Sequence, residues 1–294
     1  LEYTYPDGID VEIFSMKVLK DAWQNAKLSS EREHVSPFIR NNSMYTKKNV
    51  ISNKYYPPYR LTLDCPEDYH LINAIYRGLG CTRFYIDDII EFLKVNPELA
   101  LVNQHLVSNE GYMKSLVEDA KNARIDGERI YLESLSEKNA SVTYCNWIND
   151  PSVNKFLETK TTSIDQLREY IRERQHCQTC IFYGIFLKEN QNHIGNIKLE
   201  PIEYGAKEAT LGILIGDKAY WKKGICVEAI KLLADYTFSK KMLNKIKLGV
   251  ISDNKPAISC YEKAGFTIDE KQPLDGINAD VFREKLIMSV SRKM

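Results

Sequence analysis

The stretch Tyr220–Ile230, YWKKGICVEAI, decides how the second half of this 294-residue chain is interpreted. It follows an apolar run, TLGILIG, and leads into a segment with helical periodicity, so a strand is expected to end there and a helix to begin. The first turn of a helix leaves backbone N–H groups without partners, and these donors and the helix dipole suit a phosphate. Gly224 lets the backbone approach closely, since glycine has no Cβ. By itself, the stretch fits a glycine turn that opens a solvated helix equally well.

Regular secondary-structure patterns surround this stretch. The segment RIYLESL alternates as a strand, and NASVTYCNWIND and SIDQLREYIRERQ are typical of helices. Three runs rich in β-branched and aromatic residues follow, IFYGIFLKE, HIGNIKLEPIEY and EATLGILIGD, and they predict three consecutive strands. A helix is expected from about Lys223 to Lys240, and KIKLGVIS, PAISCYEKAGF and DVFREKLIMSV predict a strand, a short helix and a last strand. The predicted order is β-α-α-β-β-β-α-β-α-β.

Two motifs in this region resemble those of the GNAT acetyltransferase superfamily. YWKKGICVEAI is similar to its acetyl-CoA pyrophosphate loop, Gln/Arg-x-x-Gly-x-Gly/Ala, with Trp221 in place of Gln or Arg and Cys226 in place of Gly or Ala. Cysteine is small, so the loop is expected to close with less room; a thiol open to oxidation is the alternative interpretation of Cys226. The resemblance covers about residues 128–292. The next motif is matched by Asn254, Ala257, Tyr261, Glu262, Lys263, Gly265 and Phe266.

The resemblance implies an α/β (α+β) GNAT fold with a mixed, splayed central sheet, and direct transfer of acetyl from acetyl-CoA to an amine. It places the pantetheine arm along the unpaired edge of the strand around Gly212–Ile215. Tyr261 is then the predicted general acid for the departing thiolate, with core packing beside Phe266 as the alternative. Asn254 would bond the pantetheine or the strand end. The predicted acetyl-CoA-binding residues are Ile213, Leu214, Ile215, Lys222, Lys223, Gly224, Ile225, Cys226, Val227, Asn254 and Tyr261.

The general base is less well defined by the sequence. An amine must lose a proton as it attacks. Glu200 ends the GNIKLE strand near the expected entry of the acceptor, and Glu208 opens the next strand. Either could act through a water or could be a surface carboxylate, and Glu200 is the favoured catalytic residue. His193 lies in a polar turn, where a solvated side chain is expected.

The first region, about residues 5–117, resembles the C-terminal part of cytidylyltransferases that activate acidic sugars, in particular the spore-coat-polysaccharide type. The segments PDGIDVEIFS, SEREHVSPFI, RLTLDCPEDY and NEGYMKSL carry the resemblance. It implies that Asp64 helps to hold Mg²⁺, although the same residue could cap the following helix. Arg32 and His34 are candidates for binding an acidic sugar, or for a subunit interface. The resemblance predicts a partial α/β nucleotidyltransferase segment.

The nucleotide-binding half of that family is missing from the sequence, and the chain starts at Leu1. We therefore expect a fragment of a longer bifunctional protein, without nucleotidyl transfer and with Mg²⁺ only if the complete domain is present. The expected divisions are a cytidylyltransferase-like fragment at 1–122, a polar linker at 123–128 and an acetyltransferase domain at 129–294.

Composition narrows the choice of partners and compartment. Lys and Arg together number 40, as do Asp and Glu, so no charge excess favours nucleic acid or an anionic membrane as a partner. No apolar run is long enough to span a membrane. Seven scattered cysteines suit a reducing cytoplasm better than a disulfide framework, and Cys177 and Cys180 lack the second pair that zinc usually needs.

The function expected from these observations is N-acetylation of a small molecule, an amino sugar linked to a nucleotide, in surface polysaccharide or nonulosonic acid biosynthesis. The alternatives are acetylation of a protein or peptide, or a non-catalytic domain that binds acyl-CoA or serves as a scaffold. A homodimer is possible. A narrow acceptor pocket with polar groups favours a sugar, whereas an open groove favours a peptide.

Overall fold

The computed structural model describes residues 4–80, 83–274 and 283–292. The chain divides into two compact units, Leu1–Glu110 and Gly111–Met294. The linker predicted at residues 123–128 lies inside the second unit, where Ile125–Asp126 forms a short strand. The division between the compact units therefore lies earlier in the chain than the predicted linker.

The first unit is helical in its described part. Proline stands in the first turn of three of its helices, where its missing N–H costs no hydrogen bond, and Gly80 ends the longest helix in the left-handed conformation, with φ 61°. Its buried core is formed by Leu61, Leu71, Ile75 and Leu93. The helices are α1 (Met16–Asn25), α2 (Ser29–Glu33), α3 (Pro37–Asn41), α4 (Pro66–Leu79), α5 (Ile86–Val95) and α6 (Pro97–Leu101).

The second unit begins with α7 (Glu110–Lys121) and is built on one mixed sheet of eight strands in the order β1-β2-β3-β4-β5-β6-β8-β7. This confirms the predicted α/β class. The last predicted strand is present from Arg283, whereas 280–282 lie outside the described residues. The elements are β1 (Ile125–Asp126), β2 (Ile130–Ser134), α8 (Val142–Asn149), α9 (Ile164–His176), β3 (Ile181–Leu187), β4 (His193–Glu203), β5 (Glu208–Ile215), α10 (Ile225–Ser239), β6 (Lys245–Ile251), α11 (Lys255–Lys263), β7 (Thr267–Leu274) and β8 (Arg283–Ser291).

Two strands of the sheet were not predicted. β1 lies in the segment taken for the linker, and β7 follows α11 directly. β7 reads TIDEKQPL, a sequence with charged residues and a proline, because it is an edge strand that pairs only with β8 among the described strands. Edge strands tolerate such residues, since one side of their backbone needs no partner.

The sheet opens between β5 and β6. These strands pair in parallel only at Glu208, Ala209 and Thr210, opposite Lys245–Lys247. Beyond Thr210, β5 continues to pair with β4 on its other side, and β6 continues to pair with β8. The edge of β5 that faces β6 is therefore without a β6 partner from Leu211 to Ile215 in the described sheet, as the resemblance implied.

Helices cover the sheet and fix this opening. α8 and α9 pack with Tyr131, Phe182 and Phe186 into one buried cluster. α10 follows β5 and packs on β1, β2 and β5, while α11 follows β6 and packs against α10. The two strands that diverge thus each lead into a helix, and these two helices meet.

Candidate active site

The junction of β5 and α10 has the hydrogen-bonding capacity of an anion site. Gly224 caps α10 in the left-handed conformation, with φ 81°. The first helical bond runs from the Glu228 N–H to the Gly224 carbonyl, at 3.1 Å. No described residue accepts a hydrogen bond from the backbone N–H groups of residues 225–227, so these three donors remain available to a ligand.

An ion pair fixes this junction from the side of β2. The Glu228 carboxylate accepts hydrogen bonds from Arg129 Nε at 2.9 Å and from the Arg129 backbone N–H at 2.8 Å. Arg129 Nη1 in turn donates to the Lys223 carbonyl at 2.8 Å. Burial alone would raise the pKa of Glu228, but the hydrogen bonds from Arg129 outweigh it and lower the pKa. The sequence analysis did not predict this pair. Its signal in the sequence was the acidic residue in the first turn of α10.

Trp221 explains how the loop tolerates a departure from the usual motif. Its indole Nε1 donates to the carbonyl of Ile215, the last residue of β5, at 2.7 Å. The side chain is thereby held against the end of the strand, and Lys222 next to it takes a positive φ of 59°. The loop is therefore closed by an indole–carbonyl bond at the position where the motif that it resembles has Gln or Arg.

A disulfide bond joins Cys226 of α10 to Cys260 of α11, with Cα atoms 6.5 Å apart. It links the helices that follow the two diverging strands. The expectation that the cysteines avoid disulfides is wrong for this pair, because folding brings together two residues that are 34 positions apart. In the same part of the chain, Cys177 and Cys180 are free thiols, and burial raises the pKa of Cys180 to about 12.

Tyr261 follows Cys260 on α11 and is partly buried. Its ring centroid lies 6.1 Å from that of Phe266, and burial raises the pKa of Tyr261 to about 12. The phenol is therefore protonated at neutral pH, as a general acid must be. Asn254 precedes α11 without capping it through its side chain. The structure thus brings Tyr261 close to the start of α10 through the disulfide, while the roles of Tyr261 and Asn254 stay predictions.

Glu200 and Glu208 are both engaged by lysines. Glu200 Oε2 accepts a hydrogen bond from Lys198 Nζ at 2.6 Å and lies 3.3 Å from Arg174 Nε. Glu208 pairs with Lys247 at the closed end of the opening between β5 and β6. The catalytic role of Glu200 stays a prediction.

His193 is not the solvated side chain that the sequence suggested. Its ring lies 5.0 Å from that of Phe186, 5.1 Å from that of Trp147 and 5.6 Å from that of Tyr144, measured between centroids. Burial lowers the pKa of His193, and a hydrogen bond with Asn196 at 2.8 Å opposes this only in part. The prediction from the polar turn was wrong because the His193 ring folds back from the start of β4 into the aromatic cluster.

Comparison with known proteins agrees with this architecture. Residues 129–267 match the family described as "Acetyltransferase (GNAT) domain". These residues form a GNAT acetyltransferase domain. The chain is 29% identical over 143 residues to "Uncharacterized N-acetyltransferase p20" of Bacillus licheniformis, an alignment that spans 47% of this chain and 79% of the relative. It is 36% identical over 102 residues to "Probable N-acetyltransferase YjcK" of Bacillus subtilis, across 34% of this chain and 55% of that protein.

A solved structure shares the fold of the acetyltransferase domain. Spermidine N-acetyltransferase from Vibrio cholerae, in complex with CoA and spermine, is 22% identical and has a TM-score of 0.51, over 56% of this chain and 97% of that one. That protein binds CoA, and at this level of identity the likeness shows the fold alone.

Asp64 in the first unit is paired with an arginine. Its exposed carboxylate pairs with Arg60 Nη2 at 3.0 Å, while the buried Asp68 accepts from Arg60, Asn103 and the Asp64 backbone N–H. No group of three or more His, Cys, Asp or Glu suited to a metal exists within residues 4–80, 83–274 and 283–292. The Mg²⁺ role of Asp64 that the resemblance implied stays a prediction.

The cytidylyltransferase resemblance is supported only in part. A 108-residue alignment at 32% identity to "Spore coat polysaccharide biosynthesis protein SpsF" of Bacillus subtilis spans 34% of this chain and 45% of that protein. Arg32 donates to the carbonyls of Trp23 and Ala26 near the end of α1, at 3.3 and 3.2 Å. His34 lies 3.9 Å from Glu33.

None of the described helices is long and apolar enough to cross a membrane.

Proposed function

We propose that the acetyltransferase domain transfers the acetyl group of acetyl-CoA to the amino group of a small molecule. The observation that carries this proposal is the opening between β5 and β6, whose mouth is formed by the three available N–H groups at the start of α10. The pyrophosphate would bind at these groups, with Lys222 and Lys223 at the rim, and the pantetheine would lie along Ile213–Ile215 and reach Asn254. Backbone N–H groups of the free strand edge could stabilise the thioester oxygen as negative charge develops.

The reaction then needs two proton movements. The amine nitrogen attacks the thioester carbon, the carbon–sulfur bond breaks, and the amine loses a proton to a base. Tyr261 donates its proton to the departing CoA thiolate, and the raised pKa of Tyr261 supports this role. Glu200 is the candidate base through a water, although its ion pairs would first have to loosen.

We propose a nucleotide-linked amino sugar as the acceptor, used in surface polysaccharide synthesis. The support is the partial similarity of this chain to a spore coat polysaccharide biosynthesis protein. A single chain that joins an acetyltransferase domain to part of a sugar cytidylyltransferase would serve one pathway, in the cytoplasm, where acetyl-CoA is made.

The test is a screen of acceptors with the full chain. UDP-amino sugars, peptides with free amino termini and polyamines are each incubated with acetyl-CoA while thiol release is followed. Acetylation of an amino sugar nucleotide supports the proposal. Preferred acetylation of peptides would replace it by the protein-acetyltransferase alternative, and tight CoA binding without transfer to any amine would favour a scaffold.

A further inference from the structure

The side chain of Lys198 on β4 lies over β5 at the point where the opening between β5 and β6 begins. Lys198 pairs with Gly212 of β5 and with Phe182 of β3, so its side chain lies on the face covered by α8 and α9. A Cβ added to Gly212 would lie 3.2 Å from both Cγ and Cε of Lys198. Because β5 leaves β6 directly after Thr210, the lysine stem covers β5 at the start of its free edge.

Lys198 belongs to a half-buried group of charged residues. Its Nζ donates to Glu200 and, at 3.1 Å, to the hydroxyl of Tyr170. The guanidinium of Arg174 stacks on the Tyr170 ring, 3.5 Å from the centroid. The side chains of Lys198, Arg174 and Glu200 are 29%, 18% and 23% exposed. Two cations therefore share one enclosed carboxylate.

The positive charge of this group is not fully neutralised. Arg174 Nε is buried and has no hydrogen-bond partner among the described residues, since its approach to Glu200 lacks the geometry of a hydrogen bond. The second acid near Arg174 is Glu173, which is 61% exposed and therefore screened by water. Burial alone would lower the pKa of Lys198, but the bond to Glu200 outweighs it and raises the pKa, so the lysine stays charged.

We infer that the acceptor carries an anionic group, a phosphate or a carboxylate, close to its amine, and that Lys198 and Arg174 bind this group. The inference rests on the proposed function, because the acetyl carbon must lie along the free edge of β5. An anionic oxygen would supply a partner for Arg174 and share Lys198 with Glu200, and such charge-assisted bonds are short and strong. A polyamine would meet two cations at the same place and be repelled.

The test compares acceptors that differ in charge. Thiol release by the full chain is measured with glucosamine, glucosamine 1-phosphate, UDP-glucosamine, muramic acid and spermidine. The phosphorylated or the carboxylated sugar is expected to exceed glucosamine in kcat/KM by about 10- to 100-fold, the factor typical of one hydrogen bond to a charged group. The two anionic arms distinguish phosphate from carboxylate, and the advantage is expected to shrink at high salt.

Variants assign the effect to the proposed residues. Lys198→Met keeps the stem over Gly212 and removes the charge, so the advantage in kcat/KM of the anionic sugar over glucosamine should fall by about 10-fold or more. Lys198→Arg should restore discrimination. Arg172→Gln, on the same helix as Arg174 but paired with Glu137 and Glu169, is the matched control and should behave as wild type.

The outcomes separate this inference from the proposed function. Acetylation of glucosamine or spermidine with no advantage for anionic sugars, or an unchanged advantage in a folded Lys198→Met variant, would overturn the inference and leave acetyl transfer intact. Failure to acetylate any amine would overturn the proposed function, and the inference with it.

Discussion

Cys226 in the first turn of α10 is bonded to Cys260 of α11, one residue before Tyr261. Because α10 follows β5 and α11 follows β6, the bond ties the two sides of the cofactor opening together beyond the point where the strands part. The available N–H groups of α10 and the proposed acid on α11 are thus connected through a single covalent link.

Loss of this bond should destabilise the second unit. The disulfide closes a loop with a sequence separation of 34, for which the chain-entropy model gives about 3–4 kcal/mol of stability. Reductant, or the Cys226→Ser/Cys260→Ser variant, should lower the free energy of unfolding of the second unit by that amount, and the denaturant midpoint should fall accordingly. Cys65→Ser, in the first unit, is the control. Identical midpoints with and without reductant would mean that the two thiols are not bonded in solution.

Gly224→Val should weaken acetyl-CoA binding by about 2 kcal/mol or more, because a β-branched residue resists the left-handed backbone and brings methyl groups to the expected phosphate site. The nearest atom to an added Cβ is Arg129 Nη2, at 3.4 Å, so the fold itself has room for the side chain. Calorimetry measures the affinity. Gly80→Val places similar strain at φ 61° in the first unit and should leave affinity unchanged. Equal affinities for a folded Gly224→Val variant and wild type would move the phosphate site elsewhere.

Glu228 should contribute to the acid sensitivity of the fold. Its pKa is lower in the folded state than its ordinary value of 4.5, so its stabilising effect is present above that value and is lost as the pH falls through the folded pKa. Glu228→Gln should therefore destabilise the domain at pH 7 and show a weaker loss of stability on acidification below about pH 4.5. Unfolding curves across pH measure this. Glu169→Gln, on the exposed face of α9, is the control. Parallel pH profiles for Glu228→Gln and wild type would contradict the assignment.

Asp64 and Asp68 should differ sharply when each is changed to asparagine. Burial alone would raise the pKa of Asp68, but its bonds to Arg60 and Asn103 outweigh it and hold the pKa far below the ordinary range. Asp68→Asn should cost several kcal/mol, since Arg60 would keep a half-satisfied charge, about 3–5 kcal/mol being typical for a broken buried pair. Asp64→Asn, with a side chain that is 70% exposed, should cost under about 1 kcal/mol.

The same residues bear on nucleotidyl transfer. Because Asp64 is already paired with an arginine and no metal cluster accompanies it in the described residues, we expect no Mg²⁺ binding at Asp64 and no CMP-sugar from CTP. Formation of a CMP-sugar from CTP by the purified chain would contradict this expectation.

The sequence predicted those parts of the fold that depend on local pattern. The strand before Gly224 and the helix after it follow from apolar periodicity, and α11 from the proline near its start. β7 was not predicted, because an edge strand can carry charged residues without a loss of stability. His193 and the cysteine pair were misjudged for a common reason, since burial among residues distant in sequence leaves no local trace. Glu200 was predicted at the end of a strand, but β4 continues to Glu203, so Glu200 lies inside the strand. Its partners Lys198 and Arg174 come together only through the packing of α9 on the sheet.

The proposed acetyl transfer is tested most directly by comparing wild type with Tyr261→Phe. The assay follows both CoA release and acetylation of the acceptor amine. This change keeps the ring packed beside Phe266 and removes only the hydroxyl. We predict that wild type transfers acetyl stoichiometrically, and that Tyr261→Phe lowers kcat by about 10²-fold or more with a nearly constant KM for acetyl-CoA, as for general acid help given in the transition state. A variant with wild-type kcat, measured where chemistry limits the rate, would make Tyr261 a packing residue. Wild-type protein that binds acetyl-CoA but acetylates no amine would contradict the central claim.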